Sequence, residues 1–203
     1  MIAIVDYGMG NLRSVQKALQ RVGSDAVIVR EPEAIDSASK LILPGVGAFG
    51  DAMTYLAERG QIEPIKRFVA SGRPFLGICL GMQLVFESSD EDAPSPPGLG
   101  LLRGRVVRFD KQRGGGIKVP HMGWNTLRWR RNDPLFAGLE QDSAVYFVHG
   151  YYAKPDNGSA SAMCDYGGEF CASVWHDNLW ATQFHPEKSQ RIGLKILANF
   201  AEL

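Results

Sequence analysis

The sequence predicts an α/β fold: an open, mostly parallel central sheet with helices on both faces, plus antiparallel β segments in the C-terminal half. Two observations carry this. Between residues 2 and 86, short unbroken apolar runs alternate with stretches whose apolar residues recur at helical spacing. Strands buried on both faces and joined by amphipathic helices are the units of a parallel sheet. Beyond residue 100 the helical spacing gives way to β-rich segments separated by turn residues, until a last helical stretch closes the chain.

Ile2 to Val5 is the first apolar run, and Asp6-Tyr7-Gly8-Met9-Gly10 is the loop after it. From Asn11, placed as the N-cap, Leu12, Val15, Leu19 and Val22 recur at helical spacing and Gly23 closes the helix. The loop glycines fall short of the Gly-x-Gly-x-x-Gly pattern, so no dinucleotide cofactor is expected. Ala26 to Val29 and Leu41 to Leu43 are further strands, the second entering the glycine-rich loop Pro44-Gly45-Val46-Gly47-Ala48-Phe49-Gly50. Such a loop can bring backbone N–H groups to a ligand without steric obstruction. Helix is expected from Asp51, with Met53 and Leu56 facing inward; Ile62, Ile65, Phe68 and Val69 form another stripe that Gly72 ends. A ligand would lie at the carboxyl ends of the strands.

Ser88 to Gly98 is acidic, carries Pro94, Pro96 and Pro97, and is expected to be an exposed loop. The β segments that follow are Leu101 to Phe109, Thr126 to Trp129, Ala144 to Tyr152, and Phe170 to Trp175 paired across His176-Asp177-Asn178 with Leu179 to Phe184. Lys111-Gln112-Arg113-Gly114-Gly115-Gly116 reads as a solvated connector. A helix from Ser189 sets Ile192, Ile196 and Phe200 on one face.

Composition bounds the function. The 203 residues, 45% hydrophobic and 22% charged, suit one globular domain spanning 1–203. The 22 basic and 22 acidic residues cancel, so neither nucleic acid nor an anionic membrane is expected as a partner. The 3 cysteines argue against a disulfide framework and for a reducing, cytoplasmic setting. No apolar run approaches the roughly 20 residues that span a bilayer. Cys79, Cys164 and Cys171 lack the spacing of a zinc site, so no metal is expected.

The chemistry points to Gly77-Ile78-Cys79-Leu80-Gly81, between the apolar run Pro74-Phe75-Leu76 and the helical Met82-Gln83-Leu84-Val85-Phe86. A buried strand that breaks at Gly-x-Cys-x-Gly into a helix is the nucleophile-elbow pattern with sulfur in place of oxygen. The alternative, that Cys79 is one more small core residue, leaves the two flanking glycines unexplained. A cysteine nucleophile needs a base, and His185-Pro186-Glu187 offers one: at the end of a strand, Glu187 would share a side with His185 and hold its ring toward Cys79. His176 is read as a surface residue, while His121 and His149 have no acid two positions on. For the oxyanion, the N–H of Leu80 and the loop Gly45-Val46-Gly47 are the candidate donors. Gln83, one turn beyond Cys79, is a candidate for binding an amide substrate.

Together, Gly77-Ile-Cys79-Leu-Gly81-Met-Gln83, Pro44-Gly-Val-Gly47 and His185-Pro-Glu187 resemble the class I glutamine amidotransferases over nearly the whole chain. The resemblance implies their flavodoxin-like fold and hydrolysis of L-glutamine to glutamate and ammonia through a Cys79 thioester, without a cofactor. Asp6-Tyr7-Gly8-Met9-Gly10-Asn11-Leu12, Val119-Pro120-His121-Met122-Gly123-Trp124-Asn125, Phe147-Val148-His149 with Tyr151-Tyr152, and Lys188 are similar to the glutaminase subunits of imidazole glycerol phosphate synthase. That likeness implies a (β/α)₈-barrel cyclase as partner in a heterodimer, using the ammonia to form imidazole glycerol phosphate and an aminoimidazole carboxamide ribotide in histidine biosynthesis. It also implies that Gly45, Val46, Gly47, Leu80 and Gln83, with backbone of His149, Gly150 and Tyr151, line the glutamine site. Asn11, Met122, Trp124, Asn125 and Lys188 would face the cyclase. Gly150 departs from the serine common in that family. The competing readings are a glutaminase serving another synthase, a cysteine amidase or peptidase acting alone, and a docking subunit with a vestigial triad.

Overall fold

The computed structural model describes residues 1–91, 94, 96–156 and 158–203. In the first part of the chain, strand and helix alternate: β1 (Ile2–Val5), α1 (Leu12–Arg21), β2 (Ala26–Val29), α2 (Pro32–Asp36), β3 (Lys40–Gly45), α3 (Phe49–Glu58), α4 (Ile62–Ala70), β4 (Phe75–Cys79) and α5 (Leu80–Leu84). The second part is mostly strand: β5 (Ser88–Ser89), β6 (Gly104–Arg108), β7 (His121–Thr126), β8 (Arg128–Trp129), β9 (Ala144–His149), β10 (Tyr151–Pro155), β11 (Ala160–Asp165), β12 (Glu169–His176) and β13 (Leu179–Thr182). Helix α6 (Gln190–Glu202) ends it.

Among the described residues the main sheet has 8 strands in the order β2-β1-β3-β4-β13-β12-β11-β8. The pairs from β2 to β13 are parallel, and those from β13 to β8 antiparallel. Strand β13 therefore returns from the far end of the sequence to lie beside β4, with Thr182 opposite Ile78. That pairing brings the chain after β13 to the carboxyl end of β4, where Cys79 sits. A 3-stranded sheet (β10-β6-β5) and the β7-β9 ribbon lie apart from the main sheet's strand order.

Alternation along the parallel strands feeds two cores. Ala3 and Val5 of β1 join Leu41 and Leu43 of β3 against Phe49, Met53 and Leu56 of α3 and Ile65 and Phe68 of α4. Ile2 and Ile4 join Ile42, Leu76 and Ile78 against Val15 and Leu19 of α1 and Ile196, Leu197 and Phe200 of α6. Successive residues point to opposite faces, so both faces are covered by helices and the strands read as unbroken apolar runs. Each fully buried phenylalanine, such as Phe49 or Phe68, contributes about 1.5–3 kcal/mol.

Several expectations need correction. Asn11 sits at the N-cap of α1 but its side chain makes no cap bond; its carbonyl accepts from Ser14 and Val15 N–H instead. The glycine-rich loop is shorter than 44–50, since Pro44 and Gly45 pair with β4 and helix α3 already starts at Phe49. The short α2, β7 and β11 have no counterpart in the sequence reading, and the segment 144–152 divides at Gly150 into β9 and β10. The acidic stretch 88–98 includes 92, 93 and 95, which lie outside the described residues; Ser88–Ser89 within it pairs with β6. The 111–116 connector, in contrast, is largely exposed as a solvated loop should be, with Arg113 Nε donating to Gly167 O at 3.1 Å.

Candidate active site

Cys79 is the last residue of β4 and the N-cap of α5, with φ 56° and ψ −109°. A residue bearing a Cβ resists positive φ, and this ψ falls outside even the small left-handed helical well, at a cost of about 1–3 kcal/mol. The flanking glycines are demanded by close approach. A Cβ on Gly81 would lie 1.8 Å from the Leu43 carbonyl oxygen, and one on Gly77 2.7 Å from that of Gly81. The turn therefore presses α5 onto β3 and leaves Cys79 at the corner, 6% exposed.

His185 and Glu187 do come together, though not as the strand geometry predicts. Strand β13 ends at Thr182, and Pro186–Lys188 forms a 3-10 turn with His185 as its N-cap. The tight turn, rather than a shared strand face, puts His185 Nδ1 2.8 Å from Glu187 Oε1. The turn is held by His185 N–H donating to Tyr146 O at 3.0 Å and Ser189 Oγ donating to His185 O at 2.7 Å. Both side chains are almost wholly buried, at 2% and 1% exposure. Burial works against charge on His185, but Cys79 and Glu187 outweigh it and raise its pKa to about 10. Nε2 is buried without a hydrogen-bond partner among the described residues.

Cys79 and His185 open into one cleft of about 400 Å³, which Val46, Gly47, Leu80, Gln83, His149, Gly150 and Tyr151 also line. That volume lies within the ~300–1,000 Å³ typical of small-ligand sites. Gly45 does not line it; it pairs with Cys79 across β3 and β4, behind the wall. There its missing Cβ makes room for the Tyr7 hydroxyl, which a Cβ would meet at 2.5 Å. Gln83 is turned inward: its Nε2 donates to Tyr151 O and to Gln183 Oε1, both at 3.1 Å. A carboxamide so engaged braces the cleft wall that Gln83 lines.

Two residues at the site, one behind the cleft wall and one lining it, escaped the sequence reading. Gln183 is fully buried and its Nε2 donates to Cys79 Sγ at 3.8 Å; a glutamine inside the apolar run before His185 was the available signal. Glu91 lines the cleft, its Oε2 accepting from Phe49 N–H at 2.9 Å at the start of α3. Nothing in an acidic loop marks that one carboxylate. No cluster of metal-ligating side chains occurs among the described residues.

Of the residues expected to meet a partner, Met122 and Trp124 are 63% and 49% exposed on the outer face of β7. Asn11 and Lys188 are exposed as well. Asn125 is half-buried and turned inward, donating to Asp165 O at 2.8 Å. A Cβ on Gly150 would meet only Val119 Cγ1, at an ordinary 3.7 Å, so a serine fits there without strain.

Residues 3–203 match the family described as glutamine amidotransferase class-I. The chain is 54% identical over 207 residues to imidazole glycerol phosphate synthase subunit HisH of Syntrophotalea carbinolica, covering all of both chains. It is also 54% identical to the subunit of that name from Geobacter sulfurreducens, over all of this chain and 98% of that one. Among solved structures it resembles a glutamine amidotransferase (TM-score 0.76, 21% identity, all of both chains). It also resembles PurLQS from Thermotoga maritima (TM-score 0.76, 22% identity, 99% and 97% covered). With the elbow cysteine and the His–Glu pair on one cleft, at the carboxyl end of a mostly parallel sheet, the chain belongs to the class I glutamine amidotransferase family and, within it, to the HisH subunits of imidazole glycerol phosphate synthase.

Proposed function

We propose that this chain is the glutaminase subunit of an imidazole glycerol phosphate synthase, hydrolysing L-glutamine and passing the ammonia to a (β/α)₈-barrel cyclase in histidine biosynthesis. The observation that carries this is the cleft that holds a strained Cys79 and the buried His185–Glu187 pair together. The Cys79 sulfur attacks the carboxamide carbon with its proton held on His185 Nε2, and Glu187 fixes the ring through Nδ1. The oxyanion is met by the N–H of Leu80 and by backbone of the Val46-Gly47 loop. His185 then protonates the departing ammonia, and as a base it activates the water that releases glutamate from the thioester. Glu91 supplies a carboxylate for the α-ammonium group of the amino acid.

The partner seats on the outer face of β7, where Met122 and Trp124 offer exposed apolar anchors. A buried triad that works only when the ammonia has a destination explains both features, and an amidase acting alone would leave the β7 surface without a purpose. We place the protein in the cytoplasm as a single domain: its cysteines are unpaired and no described helix is long and apolar enough to cross a membrane. The test is glutamate release by the purified chain with and without the cyclase and its nucleotide ligand. Release should be low alone, rise sharply in the complex, and vanish in Cys79→Ala. Equal release with and without the cyclase overturns the coupling, and hydrolysis by Cys79→Ala overturns the nucleophile.

A further inference from the structure

Beneath Met122 and Trp124, the inner face of β7 carries polar residues where a core would ordinarily be apolar. His121, 3% exposed, is stacked on Tyr166 and Phe147, with ring centroids 4.0 and 4.8 Å away, and meets the edge of Phe170. Its Nδ1 lies 3.0 Å from Nε2 of the equally buried His149. On the far side its Nε2 lies 3.3 Å from Asn125 Nδ2. His149 Nδ1 in turn lies 2.8 Å from Tyr151 O.

Only one placement of the protons satisfies these contacts. A carbonyl only accepts, so His149 Nδ1 carries the hydrogen that meets Tyr151 O. Burial, the largest cause for each ring, lowers the pKa of His121 to about 4 and that of His149 to about 3, so both rings are neutral. His149 Nε2 therefore accepts, His121 Nδ1 donates to it, and His121 Nε2 accepts from the Asn125 amide. The chain does not stop at Tyr151. Its carbonyl also accepts from Gln83 Nε2, Gln83 donates to Gln183 Oε1, and Gln183 Nε2 donates to Cys79 Sγ. An unbroken file of donors and acceptors thus runs from the inner face of the exposed ribbon to the sulfur.

We propose that His121 is a positioning residue for glutamine hydrolysis: a partner seated on Met122 and Trp124 shifts β7, and the file Asn125–His121–His149–Tyr151 carbonyl–Gln83–Gln183 carries that shift to the Cys79 sulfur. This rests on Cys79 as the nucleophile. The physical warrant is twofold. The rings are wedged among aromatic side chains in a close-packed interior, so movement of one strand is transmitted rather than absorbed. Each link also has one donor and one acceptor, so a shift that lengthens one contact leaves a buried polar group unsatisfied unless the next link follows.

The test uses the chain in complex with its cyclase and measures kcat and KM for glutamine. His121→Phe keeps the stacked ring but removes both polar links. His121→Asn places an amide nitrogen where Nδ1 was and restores the donor to His149. His121→Phe should lower kcat about tenfold with KM unchanged, and His121→Asn should recover most of that loss, which a merely structural role would not produce. Because the links act in series, adding Asn125→Leu to His121→Phe should cost nothing further. If His121→Phe fails to fold, Asn125→Leu alone carries the test, with a fall of about threefold in kcat at constant KM. Wild-type kcat in the variant that folds, or a loss expressed in KM alone, overturns the relay while Cys79→Ala remains dead. Residual hydrolysis by Cys79→Ala instead overturns the nucleophile, and the relay with it.

Discussion

The turn at Cys79 makes a prediction about stability that is separate from its chemistry. Replacing Cys79 by alanine removes the thiol but keeps the Cβ, and so keeps the conflict between that Cβ and a backbone at φ 56°, ψ −109°. Replacing it by glycine removes both. Relief of such a conformation yields about 1–3 kcal/mol, set against about 0.5–1 kcal/mol for the greater freedom of glycine in the unfolded chain. The glycine variant should therefore match the alanine variant or exceed it by up to about 2.5 kcal/mol, where an ordinary site favours alanine. For a chain of this size each kcal/mol moves Tm by about 2–4 °C, a difference that scanning calorimetry resolves on the two variants side by side. A glycine variant melting clearly below the alanine variant would show that the turn stores no strain, and the case for a functional reason behind it would fall.

Other perturbations follow from buried polar groups. The Tyr7 hydroxyl is fully buried with no hydrogen-bond partner among the described residues, so Tyr7→Phe should raise stability by about 1–3 kcal/mol; a lower Tm would reveal a partner for it. His121 and His149 titrate well below the ordinary 6.5 because they are buried, at about 4 and about 3. The unfolded chain therefore binds more protons below pH 6.5, and stability should fall on acidification at about 1.4 kcal/mol per pH unit for each ring. His185 acts in the opposite sense: with its pKa raised to about 10, its contribution is full below pH 6.5 and is lost as pH rises from there to about 10. Tm should thus peak near neutrality, and His121→Phe should flatten the acid limb; an unchanged limb would mean His121 is not held neutral. Trp124→Ala should weaken cyclase binding by about 2 kcal/mol, roughly thirtyfold in Kd by titration calorimetry, and an unchanged Kd would move the interface elsewhere.

How much of this was legible in the sequence depended on whether the signal was local. The β–α alternation up to α5 was readable because strands covered on both faces are unbroken apolar runs and their helices carry regular stripes. Helix α2, at 5 residues, is too short to show a period. Strand β7 was missed for a different reason: its large apolar residues, Met122 and Trp124, face outward while His121 is buried, so the usual pattern of apolar-in and polar-out is reversed. Cys79 and the His185–Glu187 pair were found through local spacing, although the second contact is made by a 3-10 turn and not by strand geometry. Gln183, Glu91 and the contact between His121 and His149 were not legible, because they are defined by parts of the chain distant in sequence. Gln83 and Gln183 meet 100 positions apart, and no window along the sequence contains both.

Several departures from ordinary folding rules gather around Cys79, while others, such as positive φ at Gln190 and the buried Gln61 Oε1 and Asp133 Oδ2, lie elsewhere among the described residues. Where helices end in positive φ, at Gly23, Gly60 and Gly72, the chain uses glycine, and where tight turns need it, Asp142 and Asp177 serve, residue types whose short polar side chains tolerate that region. Cys79 has no such excuse. Around it lie the Tyr7 hydroxyl and the second carboxylate oxygen of Glu187, Oε2, both buried without a hydrogen bond among the described residues. Each of these lowers stability, and two well-packed cores on either side of the sheet offset them. A fold selected for stability alone would place glycine at the corner, phenylalanine at position 7 and apolar groups at 121 and 149. The exceptions nearest Cys79, with the polar file leading to its sulfur, tie that part of the cost to the reaction proposed for this cysteine.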